Sequence, residues 1–255
     1  MTDQIKGRIV CQFSCGAASA VATKLALAQY GDREVVIINA FVLEEHPDNR
    51  RFLADCEKWF GRSVTVLRDE RYGASIIEVF RQGAFIKNRY GANCTRQLKK
   101  KVLDRFKVDG DVMVMGFTAE ERDRFDSFVE RNPDRPVVAP LIESGLSKED
   151  CKAMVERAGI ELPVMYKMGY RNANCIGCVK GGEGYFRAIR EDFPDEFSRL
   201  ADVQESIGPG AYLFRNRATG ERYSLRDIPV GKADRNEELP SCSFFCEIAE
   251  KEYQP

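Results

Sequence analysis

Residues 7–27 read GRIVCQFSCGAASAVATKLAL, and this stretch decides how the rest of the chain is read. Arg8 to Phe13 is a short apolar strand, Ser14 to Ala18 a tight small-residue loop, and Ser19 to Leu27 an Ala-rich helix that begins at once. A strand that turns through small residues into a helix leaves backbone N–H groups pointing outward at the positive end of the helix dipole. Such an end is suited to an anion. Gly16 gives the turn its conformational freedom, Ala17 and Ala18 let a bulky anion approach the backbone, and Ser14 and Ser19 add hydroxyl donors. The G-x-x-x-x-G-K-[ST] spacing of a Walker loop is absent, and so is its lysine. An ordinary strand-to-helix connection remains the plain alternative.

Working outward, EVVIINAF (Glu34 to Phe41) is a continuous apolar run, as in a strand of a parallel sheet buried on both faces. Pro47 opens a helix on which Phe52, Leu53, Cys56, Trp59 and Phe60 recur at helical spacing. Ser63 to Leu67 is a third strand and DVMVMGF (Asp111 to Phe117) a further one. Alternating strands and helices imply right-handed crossovers and a doubly wound, mostly parallel α/β sheet. Ligands in such folds sit at the carboxyl ends of strands near a topological switch point. Ser75 to Arg81 continues as a helix and the polar segment Lys87 to Thr95 breaks it. Thr95 is placed to cap the helix of GANCTRQLKKKVLDRF. Ser147 and Asp150 form a capping box and Gly159 stops that helix. Gly184 to Ile207 reads as one amphipathic helix, and YLFRNR as part of a hairpin.

The chain has 255 residues, with 39 Lys plus Arg against 40 Asp plus Glu. That balance gives no bulk electrostatic case for nucleic acid or an acidic membrane. No apolar run approaches the roughly 18 residues that cross a bilayer, and MTDQIKGR has neither a signal core nor a cleavage site. A soluble, cytoplasmic protein is expected.

Nine cysteines, an odd number, argue against a closed disulfide framework. Cys11, Cys15, Cys56 and Cys151 fall in strand or helix patterns and read as small buried hydrophobes. Cys175 and Cys178 form a C-x-x-C pair, whose tight turn, eased by Gly177, brings two thiolates to one metal. Cys242 and Cys246 offer the second half of a four-sulfur site, with Cys94 as a fifth candidate. Softness of the ligands does not choose between zinc and a cubane cluster. Cys94 is flanked by Arg96 and Lys99, and neighbouring cations favour a reactive thiolate. Lys100 and Lys101 read as a solvated face. His46 is the only histidine, and a surface or capping role suits it better than catalysis. The run Tyr212, Phe214, Arg215, Arg217 and Tyr223 is basic and aromatic, either a solvated hairpin or a contact for nucleic acid.

SCGAAS resembles the S-x-G-x-x-S pyrophosphate loop of the adenine-nucleotide α-hydrolase superfamily, which holds ATP pyrophosphatases, tRNA sulfurtransferases and the sulfonucleotide (PAPS) reductases. Ala17-Ala18 stands where the ATP-cleaving members usually carry Lys-Asp. Without those side chains the loop holds an anion by its backbone, as the reductase branch does. Cys94 with Arg96 and Lys99 resembles the family's Cys-x-x-[RK]-K-like element, and GFTAEER resembles the element that places an acidic residue and an arginine, here Glu121 and Arg122, over the nucleotide. VVAPLI with the helix after it, and Pro163, Tyr166, Gly169, Tyr170 and Cys175, resemble further family segments. EEHPDNRRFL, GLSKEDC and NCIGCVKGGEGYFRAIREDFP look closest to the PAPS-reductase-like proteins of bacteriophage genomes. The likeness runs from residue 8 to about residue 200.

The resemblance implies a nucleotide-binding α/β domain over residues 1–170, and a small subdomain over residues 171–255 with metal-binding cysteines. It implies ATP, PAPS or APS held by Ser14, Cys15, Gly16, Ala17, Ala18 and Ser19, with Asn39, Phe41 and Gly116 lining the site. Cys94, Arg96, Lys99, Glu121 and Arg122 would be the catalytic set. Cys175, Cys178, Cys242 and Cys246 would hold a 4Fe–4S cluster, with zinc as the alternative. The tail SCSFFCEIAEKEYQP lacks the glycine and histidine of the family's Glu-Cys-Gly-[LI]-His motif. Adenylation-coupled sulfur transfer and sulfonucleotide reduction both stay open, with a thiol or sulfide donor, a nucleic-acid acceptor and a homodimer admitted. The competing readings are a nucleotide-binding protein without turnover and a zinc-stabilised nucleic-acid-binding protein.

Overall fold

The computed structural model describes residues 7–88 and 91–239. In chain order it runs β1 (Ile9–Gln12), α1 (Ala17–Tyr30), β2 (Val35–Ala40), α2 (Asp48–Phe60), β3 (Thr65–Leu67), α3 (Ile76–Gly83), β4 (Lys87–Asn88) and β5 (Gly91–Ala92). A π-helical turn (Thr95–Lys100) leads into α4 (Lys101–Phe106), then β6 (Val112–Val114), a 3-10 turn (Ala119–Glu121), α5 (Arg122–Arg131), β7 (Val137–Val138), α6 (Pro140–Glu143) and α7 (Lys148–Arg157). The rest is α8 (Val164–Lys167), α9 (Glu183–Asp192), α10 (Pro194–Ile207), β8 (Phe214–Arg215) and β9 (Arg222–Tyr223). No helix among the described residues is long and apolar enough to cross a membrane.

The chain forms two compact units. The first holds the described residues of Met1–Ala40, Pro47–Leu67 and Leu103–Val164. Its centre is a five-stranded, all-parallel sheet in the order β3-β2-β1-β6-β7. This is the α/β arrangement expected from the apolar runs. Ile9 pairs with Val35 on one side and Val112 on the other, so β1 is covered on both edges. From β1 the chain builds outward through β2 and β3, then returns to build the other way through β6 and β7. The strand order therefore reverses between β1 and β6, where a ligand crevice is expected. Ile9, Val10, Cys11 and Phe13 are almost fully buried, and the Phe13 ring meets Phe52 and Phe60 of α2 at 6.0 and 5.5 Å. At the opposite end of the sheet Arg8 holds Asp111 through two hydrogen bonds of 2.9 and 2.8 Å. The Ser147–Asp150 capping box opens α7 as expected.

The second unit holds the described residues of Phe41–His46, Arg68–Val102 and Met165–Pro255. Its core packs Ile76, Val79 and Phe80 of α3 with Phe186 and Ile189 of α9 and Leu200 of α10. The Glu44 carboxylate starts α3, accepting from Ser75 Oγ at 2.5 Å and Ile76 N at 2.9 Å. Two local expectations are corrected here and one is refined. Residues 184–207 are not one helix, because Pro194 lacks the N–H needed to continue α9 and disfavours a helical Phe193, whose φ is -139°. The polar segment after α3 does break the helix, which ends at Gly83, and β4 and β5 pair antiparallel within it. Thr95 is not the cap: it is 3% exposed inside the helix, its Oγ1 without a partner, and Cys94 takes the capping position in helical conformation.

Candidate functional site

In the first unit, the loop after β1 is knotted by its own serines. Ser14 donates to Ser19 Oγ from its backbone N at 3.1 Å and from its hydroxyl at 3.2 Å, and Ser19 Oγ donates to the Gly16 carbonyl at 2.9 Å. Gly16, at the cap position of α1, is extended, and no side chain caps this helix. Cys15 is fully buried with φ 58°, a left-handed conformation that strains a residue with a Cβ. Two side chains hold it there. Asn39 Nδ2 donates to the Phe13 carbonyl at 2.8 Å and lies 3.6 Å from Cys15 Sγ. Arg50 of α2 reaches Asn39 Oδ1 at 3.2 Å and Cys15 Sγ at 3.6 Å.

Gly116, just past β6, closes the other side. A Cβ there would lie 3.1 Å from both Ser19 Cα and Ser19 N, so glycine lets this strand end approach the first turn of α1 closely, and a side chain would force the backbone to give by a few tenths of an ångström. Ser14, Cys15, Gly16, Ala17, Ala18, Ser19, Asn39 and Gly116 are thus gathered at the switch point. Glu121 and Arg122 belong to the same unit. The Glu121 carboxylate completes a capping box with Thr118 and accepts from Arg124, which is structural work. Arg122 is exposed at the start of α5.

The second unit holds the C-x-x-C turn. Cys175 and Cys178 are 8% and 6% exposed, and Gly177 takes φ 74° between them. The Cys178 N–H donates to the Cys175 carbonyl at 3.1 Å. The Tyr185 hydroxyl clamps both ends, accepting from Cys178 N at 3.1 Å and donating to the Cys175 carbonyl at 3.2 Å. Burial holds the Tyr185 phenol well above its ordinary pKa, so it stays a donor. Segment 41–46 lies alongside, with Glu45 bridged to Cys175 and Ile176 N donating to the Glu44 carbonyl at 2.8 Å. Lys87 donates to the Val179 carbonyl at 2.6 Å, its pKa pulled down first by burial.

Cys94 is half-buried against the apolar cluster that contains Cys175 and Cys178. Lys99 pairs with the buried carboxylate of Glu45 at 3.4 Å. Arg96 is exposed and reaches Asn93 Oδ1 at 3.4 Å. The π-helical turn carries both, as such turns often carry functional groups. Phe41 lies under the Arg68 guanidinium, 4.1 Å from its ring centroid, and His46 packs edge-on to Phe193 at 6.0 Å. Cys242 and Cys246 lie outside the described residues. Among the described residues no group of three or more His, Cys, Asp or Glu side chains is arranged to hold a metal.

The loop set and the cysteine set therefore belong to different units. The remaining cysteines behave as small hydrophobes: Cys11, Cys56 and Cys151 are 0% exposed, and burial pushes the Cys11 and Cys151 thiols up to about 12. Sequence reasoning passed over Arg50, Arg68 and Tyr185. Only Arg50 had a local signal, as a cation in the first turn of a helix where acids are the rule. No family model matches the chain, and no curated protein does.

Proposed function

We propose that the chain is a nucleotide-dependent enzyme of sulfur metabolism resembling the PAPS reductases, with a pyrophosphate-loop nucleotide domain and a cysteine-bearing carboxyl-terminal part. The observation that carries this is the meeting of the Ser14–Ser19 loop, the amino end of α1 and Gly116 at the point where the strand order reverses. Backbone N–H groups there would hold the phosphate or sulfate of ATP, PAPS or APS. Asn39 and Arg50 keep the strained loop in shape, so the donors need no rearrangement when charge develops. Arg122, exposed at the start of α5, would meet the anion's outer oxygens, and Arg96 and Lys99 would be the cations nearest the sulfur chemistry.

The cysteine turn would form one edge of a tetrathiolate site. Its two thiols are presented on a turn that Tyr185 and Gly177 hold closed, and second contacts of this kind fix ligand geometry. Cys242 and Cys246 would supply the other two sulfurs. Leu239, three residues before Cys242, is buried in the cluster that contains Cys175 and Cys178, and three extended residues reach about 10 Å. An iron–sulfur cluster held there would supply electron or sulfur transfer, whereas zinc would supply structure. The chain's own residues present the nucleotide's anion, neutralise it and exclude water from the buried thiols.

A second proposal, binding without turnover, is favoured by one observation: Glu121 and Lys99 already have partners, in Thr118 and Arg124 and in Glu45. Product assays under anaerobic conditions separate the two. Sulfite released from PAPS or APS with a thiol donor, or pyrophosphate from ATP, abolished by Ser14→Ala with Ser19→Ala, supports turnover. Nucleotide binding with neither product would establish the second proposal instead.

A further inference from the structure

Several arginines among the described residues pair with a carboxylate, as Arg8 does with Asp111, Arg187 with Glu183 and Arg235 with Asp192. Around a cleft of ≈ 720 Å³ in the second unit the pattern differs. Its walls carry Lys87, Arg215, Arg217 and Arg222. Arg215 donates to the Gly220 carbonyl at 2.9 Å, Arg222 to the Tyr212 carbonyl at 2.6 Å and Lys87 to the Val179 carbonyl at 2.6 Å. Carbonyls orient these cations without neutralising them. Glu183, the carboxylate in the cleft wall, is already held by Arg187 at 2.6 Å and by the Tyr223 hydroxyl at 2.6 Å.

The β8–β9 ladder adds an independent sign. Arg215 and Arg222 are directly opposite each other in it, and like charges so placed destabilise a hairpin. A ladder this short is marginal to begin with. Concentrating positive charge on it has a structural cost that a bound anion would offset.

Arg215 and Arg222 face each other across the ladder and Arg217 stands two residues on toward the turn, so the charge is spread over more than one level of the hairpin, which suits a repeating anion better than one compact phosphate. Leu213 and Phe214, both partly buried against the core and the Phe214 ring set against Phe186 and Tyr223, give the cleft an apolar lining, which suits an unstacked base; a duplex keeps its bases stacked. We propose that this cleft binds the phosphodiester backbone of a single-stranded nucleic acid. The cleft belongs to the second unit and the Ser14–Ser19 loop to the first, and the proposal stands whether or not the chain turns over a nucleotide. The chain's net charge of -1 makes the attraction local, so added salt weakens it steeply.

The test is fluorescence anisotropy with a fluorescein-labelled oligothymidylate, free or annealed to oligoadenylate, titrated with the full chain over a series of salt concentrations. The single strand binds better than the duplex. Arg215→Gln with Arg217→Gln weakens binding about ten-fold or more at low salt and flattens the log–log salt slope by about 1.4, or about 0.7 for each phosphate no longer neutralised. Arg217→Gln alone, at an exposed side chain, gives about half that change in slope and guards against an effect on folding. Oligothymidylate is titrated with no ATP, PAPS or APS present, so failure of the nucleotide proposal is told apart from failure of this one. Unchanged affinity in the arginine variants, tighter binding of the duplex, or displacement by inorganic tripolyphosphate at equal phosphate concentration would overturn the proposal.

Discussion

Cys15 shows how much of this site rests on single side chains. It holds a left-handed φ that glycine would adopt freely, and the Asn39 and Arg50 contacts to its sulfur keep it there. Arg50→Ala removes one of them, with an expected ten-fold or greater loss in nucleotide affinity and a change in melting temperature of only a few degrees. Titration calorimetry beside a thermal melt checks this. Asp111 makes a separate prediction at the same scale. The Arg8 guanidinium, opposed by burial and helped by the Val108 N–H, holds its carboxyl below the usual range. A depressed folded-state pKa gives stability that is complete above the unfolded value of about 3.9 and is lost as pH falls through the folded one. Asp111→Asn should cost about 1–3 kcal/mol at neutral pH, as losing hydrogen bonds between charged groups in a part-buried pair does. Urea midpoints should converge for the two proteins at acid pH, and a constant gap across the pH range would contradict this account.

Elements differ in how openly the sequence announces them. β1 and β2 were legible because strands buried on both faces read as unbroken apolar runs, and α7 because Ser147 and Asp150 cap it reciprocally. The π-helical turn was not, since six residues cannot distinguish its period from that of an α-helix. The split between α9 and α10 was written in Pro194 but hidden by apolar residues that keep helical spacing across it. Gly116 looked like any strand-ending glycine until the neighbouring turn of α1 was in place. Ser147→Ala should lower stability by about 1 kcal/mol through loss of the cap, read from the urea midpoint. Gly116→Leu must push α1 away from β6, because the atoms it meets are backbone atoms. It should weaken nucleotide binding about ten-fold or more and cost about 1–3 kcal/mol of stability.

On the scale of the molecule, the first unit follows from local patterns in sequence and the second does not. The second is assembled from contacts far apart in the chain. Glu44 caps a helix that begins at Ile76, Phe80 packs in one cluster with Phe186, and Glu237 seats its carboxylate on Gly182 N and Tyr185 N at 2.5 and 2.9 Å. No periodicity encodes such pairings. For the cysteines the consequence is direct: Cys175→Ser with Cys178→Ser should abolish bound iron or zinc in anaerobically purified protein, measured by elemental analysis. Undiminished metal would remove that turn from the site.

The central claim is that the loop between β1 and α1 holds an adenine nucleotide, and equilibrium calorimetry tests it most directly, with ATP, PAPS and APS titrated into the wild-type chain and into Gly116→Leu. Saturable binding of at least one nucleotide, with an affinity between about 1 μM and 1 mM, weakened ten-fold or more by the substitution, is the predicted result. No binding of any of the three, or equal affinity in the two proteins, would contradict it.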